Sequence, residues 1–493
     1  MKSSLILLTF IASSFAVEYK FPEWFKFGAA SSAYQVEGAW NVSDKGESIW
    51  DRFLHTNPDL VKEGSNGDVA CDSYHLWRRD IEILQELGVD MYRFSISWSR
   101  LLPTGFSNII SENGKRYYNN LIDDILEKGI EPVVTMCHFD LPQSLQDLGG
   151  WANPLSADWF ADYADVLFSL YADRVKIWLT INEPICVCAG YEQFIAPYFD
   201  DPEIGSYLCN KNLLIAHAKA YRIYDEYYRS KFHGKISLSN LFFWFEPETT
   251  NDKELTELAI EFWESRFSHP IFSAEGGWPK RIEKILLENG IKEGYSHPRL
   301  PPFTPEEVEL VKGTYDFYGL NYYTTRLVHK LKPGELQGKS IYGTSELKVN
   351  FLRDPSWAVT GLDWFGIYPQ GLRKQLNWLK KVYDVKEIII MENGVLSFDD
   401  GSVDTVRIEY IRSHLEQVIL AIYDGVPVTG YTAWTLMDNF EWMAGYSVKF
   451  GLYAVDFNDP NRTRTPRESA HFYANVAKTR MLRTMKDNYN LIE

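Results

Sequence analysis

The chain has 493 residues, of which 45% are hydrophobic and 24% charged, a composition that builds a large folded core and excludes intrinsic disorder. Its 67 acidic residues outnumber 50 basic ones, giving a formal net charge of −17. That field excludes nucleic acid or an anionic membrane as the main partner and suits a neutral small molecule.

In chain order, residues 1–16 (MKSSLILLTFIASSFA) combine Lys2, an apolar run and small residues before Val17. This pattern predicts a secretory signal peptide cleaved after Ala16, leaving residues 17–493 as one domain. No later apolar run reaches the about 18 residues needed to span a bilayer, so a secreted, extracellular protein is expected. Two glycosylation sequons, Asn41-Val-Ser43 and Asn461-Arg-Thr463, fit that route. The five cysteines are too few for a disulfide scaffold. Cys209 is a candidate to pair with Cys186 or Cys188, an alternative left open by spacing, while Cys71 and Cys137 read as buried thiols.

A short strand and loop are expected around Phe27–Gly38. Asp80–Gly88 reads as a helix with a glycine stop, followed by a strand over Val89–Trp98 that contains Arg93. The unit repeats: helix Tyr118–Gly129 and strand Pro132–Phe139, then helix Asp158–Tyr171 and strand Val175–Pro184. Further strands are expected at Lys235–Phe245, Tyr315–Tyr323, Glu387–Met391 and Pro427–Leu436. Ile388, Ile389 and Ile390 run on without alternation, as in a strand buried on both faces. Asn393-Gly394 then turns the chain. Strand–helix units without a linker predict an α/β fold, a single (β/α)8 TIM barrel. Long loops are expected at 190–210, 246–275 and 330–365.

Such a barrel would bring Glu183 and Glu392, each at the carboxyl end of a strand, to one rim. Taken alone, a Glu-Asn-Gly turn is an ordinary solvated corner. Two carboxylates flanking one bond, however, are what glycoside hydrolysis requires: one protonates the leaving oxygen while the other attacks the anomeric carbon or activates water. Arg93 is placed to hold Glu392 ionised and Tyr323 to donate to it, although a structural ion pair would explain Arg93 as well. Glu183, kept protonated by the nearby charge, would be the acid. No phosphate-binding glycine loop is present, and neither a metal nor another cofactor is called for.

The stretches FGAASSAYQVEGAW, YRFSISWSRLLPTG, TINEP, GLNYYT, IMENG and AWTLMDNFEW occur in this order. Together they make the chain resemble a glycoside hydrolase family 1 β-glucosidase of the secreted animal, insect type, from about Phe21 to Phe472. For such a member the gut lumen is one expected location, the partner is a small-molecule glycoside, and a homodimer remains an option. The resemblance implies that Glu183 is the acid/base and Glu392 the nucleophile, with Asn321 and Tyr323 supporting the nucleophile beside the Arg93 already placed there. It also implies that Gln35, His138, Asn182, Glu441 and Trp442 hold the glycone hydroxyls, that Trp434 lies beneath the sugar, and that Trp364 forms an aglycone platform. Two departures, Ile181 and Met391, are apolar changes beside the reacting groups. Glu441 stands where members acting on 6-phosphorylated sugars carry Ser, so an unphosphorylated sugar is expected. Hydrolysis of a terminal β-D-glucosyl residue with retention is the leading expectation. A thioglucosidase is the alternative, and a sugar-binding protein without activity is a third reading that the two intact carboxylates disfavour.

Overall fold

The computed structural model describes residues 16–61, 63–193, 202–397 and 404–485. The expected leader falls outside them except for Ala16. That residue opens a strand, Ala16–Lys20, paired antiparallel with Met481–Met485. Among the described residues no helix is long and apolar enough to cross a membrane.

Eight parallel strands close into a barrel. In chain order they are β1 (Lys26–Ala30), β2 (Met91–Ser95), β3 (Glu131–Cys137), β4 (Ile177–Asn182), β5 (Lys235–Leu241), β6 (Tyr318–Asn321), β7 (Ile388–Asn393) and β8 (Val428–Ala433). β8 pairs with β1 to close the ring. Side chains alternate across each strand. Met91, Val133, Leu179, Ile389 and Met391 therefore pack inside the ring with Phe317, whereas Tyr92, Val134, Trp178, Ile388 and Ile390 join the layer beneath the surrounding helices. Both faces are apolar, which explains the unbroken isoleucine run of β7. The helix before β2, Ser73–Leu87, ends on Gly88 at φ 68, a left-handed conformation that glycine adopts without steric cost.

Strict alternation would turn Glu392 away from Met391 and out of the barrel. A register shift in the pairing of β7 with β6 falls between Ile390 and Glu392, and another in its pairing with β8 falls between Ile390 and Asn393. β4 has a comparable shift between Leu179 and Asn182. Bulges of this kind re-aim a side chain at a sheet's rim. They occur just before the two carboxylates singled out by the motifs.

The structure corrects three expectations. Lys235–Phe245 is not one strand: β5 stops at Leu241, and Trp244–Pro247 joins a separate four-stranded sheet with Thr325–Lys330, Val349–Leu352 and Gly343–Thr344. The expected 246–275 loop is largely helical, Lys253–Ile260 continuing through a wide turn at Glu261–Ser265 into Arg266–Phe272. Ala259, Ile260, Phe262, Trp263, Phe267 and Ile271 recur at helical spacing there and are all buried. Most of 190–210 is also helical, in Pro184–Gln193 and Pro202–Ile223, with 194–201 outside the described residues. The Cys188–Cys209 disulfide joins these two helices and leaves Cys186 free, while Cys71 and Cys137 are buried thiols.

Candidate active site

The carboxyl ends of the strands open into a cavity of about 430 Å³, lined by Glu183, Glu392, His138, Asn182, Trp434, Glu441 and Trp442, with Tyr323 and Trp364 in its wall. That volume suits a small-molecule ligand, for which pockets of about 300–1,000 Å³ are usual.

Arg93, fully buried on β2, organises the floor. Its guanidinium donates to Glu392 Oε1, to the Met391 carbonyl at 3.2 Å, to Thr135 Oγ1 at 3.1 Å and to Asn182 Oδ1 at 2.6 Å. Such a buried cation is tolerable because its donors meet acceptors, one of them charged. The other oxygen of Glu392 accepts from Tyr323 OH at 2.6 Å. Burial, then the charges of Glu392 and Glu183, push the Tyr323 phenol well above its ordinary range, so it stays a donor. Both oxygens of Glu392 thus accept hydrogen bonds, as an ionised carboxylate does.

Glu183 follows the last residue of β4, with its backbone held at φ 43. Its N–H donates to Ser239 O at 2.7 Å, and its own carbonyl starts the next helix by accepting from Cys186 N at 2.9 Å. A left-handed glutamate costs of order 1–3 kcal/mol, strain that persists only where the surroundings impose it. Asn321 Nδ2 donates to Glu183 Oε1 at 2.8 Å and to Asn182 Oδ1 at 3.1 Å. Ser239 Oγ orients that amide by donating to Asn321 Oδ1 at 2.5 Å. Burial first, and the Glu392 charge second, push the Glu183 carboxyl up to about 8. The site therefore holds one carboxylate fixed by a cation and a phenol, and beside it one carboxyl that keeps its proton at neutral pH.

Polar and aromatic groups cover the rest of the cavity. His138 is driven well below its ordinary range by burial and then by Arg93, so its ring is neutral. Asn182 Nδ2 lies 3.2 Å from His138 Nε2. The His138 ring stacks near-parallel on Trp434 and Trp442, with centroids at 5.7 and 6.2 Å. Gln35 does not line the cavity; it is fully buried behind it and donates to Glu441 Oε2 at 3.3 Å and to the Phe440 carbonyl at 3.0 Å. Glu441 is pushed up to about 8, chiefly by burial and then by Glu392 and Glu183. Trp364 packs against Phe365 and Phe243 with centroids at 5.4 and 6.2 Å. Asn41 and Asn461, the sequon asparagines, are exposed and line no part of the cavity. Among the described residues no cluster of His, Cys, Asp or Glu could hold a metal ion.

Sequence reasoning missed several contributors. Ser239, Thr135 and Ser32, whose hydroxyl holds Gln35 Oε1 at 2.6 Å, act one layer behind the cavity. Each sits in or beside a barrel strand, yet no local pattern separates such a serine or threonine from an ordinary strand residue. Phe139, at φ 70, packs against Trp442 with centroids at 5.2 Å. Cys186 is hydrogen-bonded through its thiol to Glu183.

Residues 17–482 match glycosyl hydrolase family 1. Among curated proteins, Myrosinase 1 of Brevicoryne brassicae is 45% identical over 479 residues, covering 94% of this chain and 99% of that one. The cytosolic beta-glucosidase of Homo sapiens is 42% identical, covering 93% of this chain and 98% of that one. Among solved structures, an aphid myrosinase superposes with TM-score 0.88 at 44% identity, covering 94% of this chain and all of that one. A family 1 β-glucosidase of Thermotoga maritima gives 0.83 at 38% identity, covering 94% of this chain and 99% of that one.

Proposed function

This chain belongs to glycosyl hydrolase family 1, and from that premise we propose that it is a retaining exo-β-glucosidase acting on terminal non-reducing β-D-glucosyl residues. Glu392 is the nucleophile and Glu183 the acid/base. In the first step a Glu392 oxygen attacks the anomeric carbon while the protonated Glu183 gives its proton to the departing aglycone oxygen. The result is a glycosyl ester on Glu392 and a free aglycone alcohol. Forming that ester removes the negative charge of Glu392, which is one of the two causes holding Glu183 protonated. Glu183, now ionised, takes a proton from water, whose oxygen attacks the same carbon; sugar and Glu392 carboxylate separate with the anomeric configuration restored. His138, Asn182, Glu441 and Trp442 hold the glycone, Gln35 orients Glu441 from behind the cavity, and Trp434 supports the sugar's face. Hydroxyl recognition by buried polar groups rejects analogues that lack one such contact.

The observation that carries this reading is the asymmetry of the two carboxyls: Glu392 is hydrogen-bonded by Arg93 and Tyr323, while Glu183 is pushed up to about 8. The deciding experiment is hydrolysis of an aryl β-glucoside by Glu392→Gln. Loss of turnover with an unchanged fold is expected, and undiminished turnover rejects the nucleophile. Similarity to an aphid myrosinase favours a second reading, cleavage of S-glycosides by the same pair. We also propose that the chain is secreted and glycosylated at Asn41 and Asn461. Their exposure and the Cys188–Cys209 bridge support that, because disulfides persist in oxidising compartments.

A further inference from the structure

Outside the sugar-holding end the cavity wall is mostly apolar, with the uncharged Gln146 and Ser340 as polar exceptions. Val187, Leu241, Phe243, Leu362, Trp364 and Phe365 line it, and among the described lining residues there is no Lys or Arg. The ionisable groups that do line it are the carboxyls of Glu183, Glu392 and Glu441, the neutral His138, two tyrosines and the Cys186 thiol.

An adjoining chamber shares Ala189 and Ser340 with the cavity and does contain cations, but two of them are engaged. Arg299 pairs with Glu203, Glu293 and Glu346. Arg266 donates to the Phe262 carbonyl at 2.6 Å and lies over the Phe262 ring. Lys339, exposed at that chamber's edge, is solvated.

Resting on the glucosidase reading above, we propose that this wall selects glucosides whose aglycone is uncharged and aromatic, and discriminates against aglycones bearing a sulfate or another anion. Flat rings gain contact with Trp364, Phe243 and Phe365. An anion entering the same space gives up its hydration without gaining a counter-charge and faces carboxylate charge on the cavity floor.

The test compares two O-glucosides with closely matched phenol leaving groups, 3-(2-hydroxyethyl)phenyl β-D-glucoside and its sulfate ester, the two-carbon meta spacer insulating the reacting oxygen from the added charge and preventing loss of sulfate from the released phenol. A sulfated thioglucoside and its desulfated form make a second pair. The expected kcat/KM for the neutral O-glucoside exceeds that of its sulfate ester by at least about tenfold, and added salt raises only the latter because it screens the repulsion. Equal or faster turnover of the sulfated O-glucoside overturns the selection, as does a sulfated thioglucoside cleaved faster than its desulfated form. Failure to cleave any β-glucoside would instead sink the glucosidase reading itself.

Discussion

Glu392 and Glu183 are joined across the cavity floor by a continuous chain of side chains. Arg93 donates to Glu392 and to Asn182, and Asn321 donates to Asn182 and to Glu183. Asn182 accepts from both sides, so the two carboxyls are positioned relative to one another by a shared scaffold. Rigid support of this kind is what a reaction needing two groups at fixed geometry requires.

Removing the acid should depend on the leaving group. For Glu183→Ala we expect kcat/KM on a poorly leaving alkyl glucoside to fall by about 10³-fold or more, and on a 2,4-dinitrophenyl glucoside by far less, because an acidic phenol departs without a proton. Azide should restore the second step and yield β-glucosyl azide. An equal loss on both substrates would reject Glu183 as the acid.

The activity should have an alkaline limb. Burial and the Glu392 charge push the Glu183 carboxyl up to about 8, and cleavage requires its protonated form. Activity is thus present below that pH and lost as pH rises through it. Trapping Glu392 as a 2-fluoroglucosyl ester removes one cause of the shift, so a direct titration of Glu183 in the trapped protein should give a lower value. No movement would show that burial alone sets it.

Tyr323→Phe deletes the hydroxyl that donates to Glu392 at 2.6 Å and leaves the ring in place. We expect kcat to fall by about 10- to 150-fold with little change in melting temperature, since a lost charge-assisted hydrogen bond at the reacting group is worth about 1.5–3 kcal/mol. A variant with full kcat would show that Arg93 alone suffices.

Stability should decline as pH rises from about 4.5 to about 7. Buried Glu264 hydrogen-bonds with Ser268 and Tyr318 and is raised by burial from 4.5 to about 7. A raised acid contributes stability that is fully present below its unfolded value and lost as pH climbs through the folded one. Between about pH 4.5 and 7 this residue's share is of order 1–3 kcal/mol. Melting temperature should therefore drop across that window, and Glu264→Gln should flatten the drop. An identical slope in the variant would reject the assignment.

The Cys188–Cys209 bridge closes a separation of 21 residues, for which chain entropy predicts about 3 kcal/mol. Cys209→Ser should lower the melting temperature accordingly while aryl glucosidase activity at room temperature persists. An unchanged melting temperature would mean that the two helices are held by packing alone.

Much of this molecule was legible before folding. The barrel showed because its strands are buried on both faces, so β7 reads as an isoleucine run and its end is marked by Asn393-Gly394. Glu183 and Glu392 could be placed at one rim from strand order alone. What was hidden depends on distant partners. Leu241 to Trp244 reads as continuous strand, yet its second half pairs with Thr325–Lys330, far away in sequence. The choice between Cys186 and Cys188 turns on which side of one helix faces Cys209. The bulges that re-aim Glu392 depend on neighbours in β6 and β8 and leave no mark in β7 itself.

Glu183 is held at φ 43, a conformation that glycine occupies freely and glutamate does not. A chain with glycine at that position would shed both the torsional penalty and a buried acid, and should outlast its active parent in a heat challenge while cleaving alkyl glucosides almost not at all. Durability and turnover thus pull against each other at a single backbone hinge, so selecting variants for thermal endurance alone would tend to discard the proton donor.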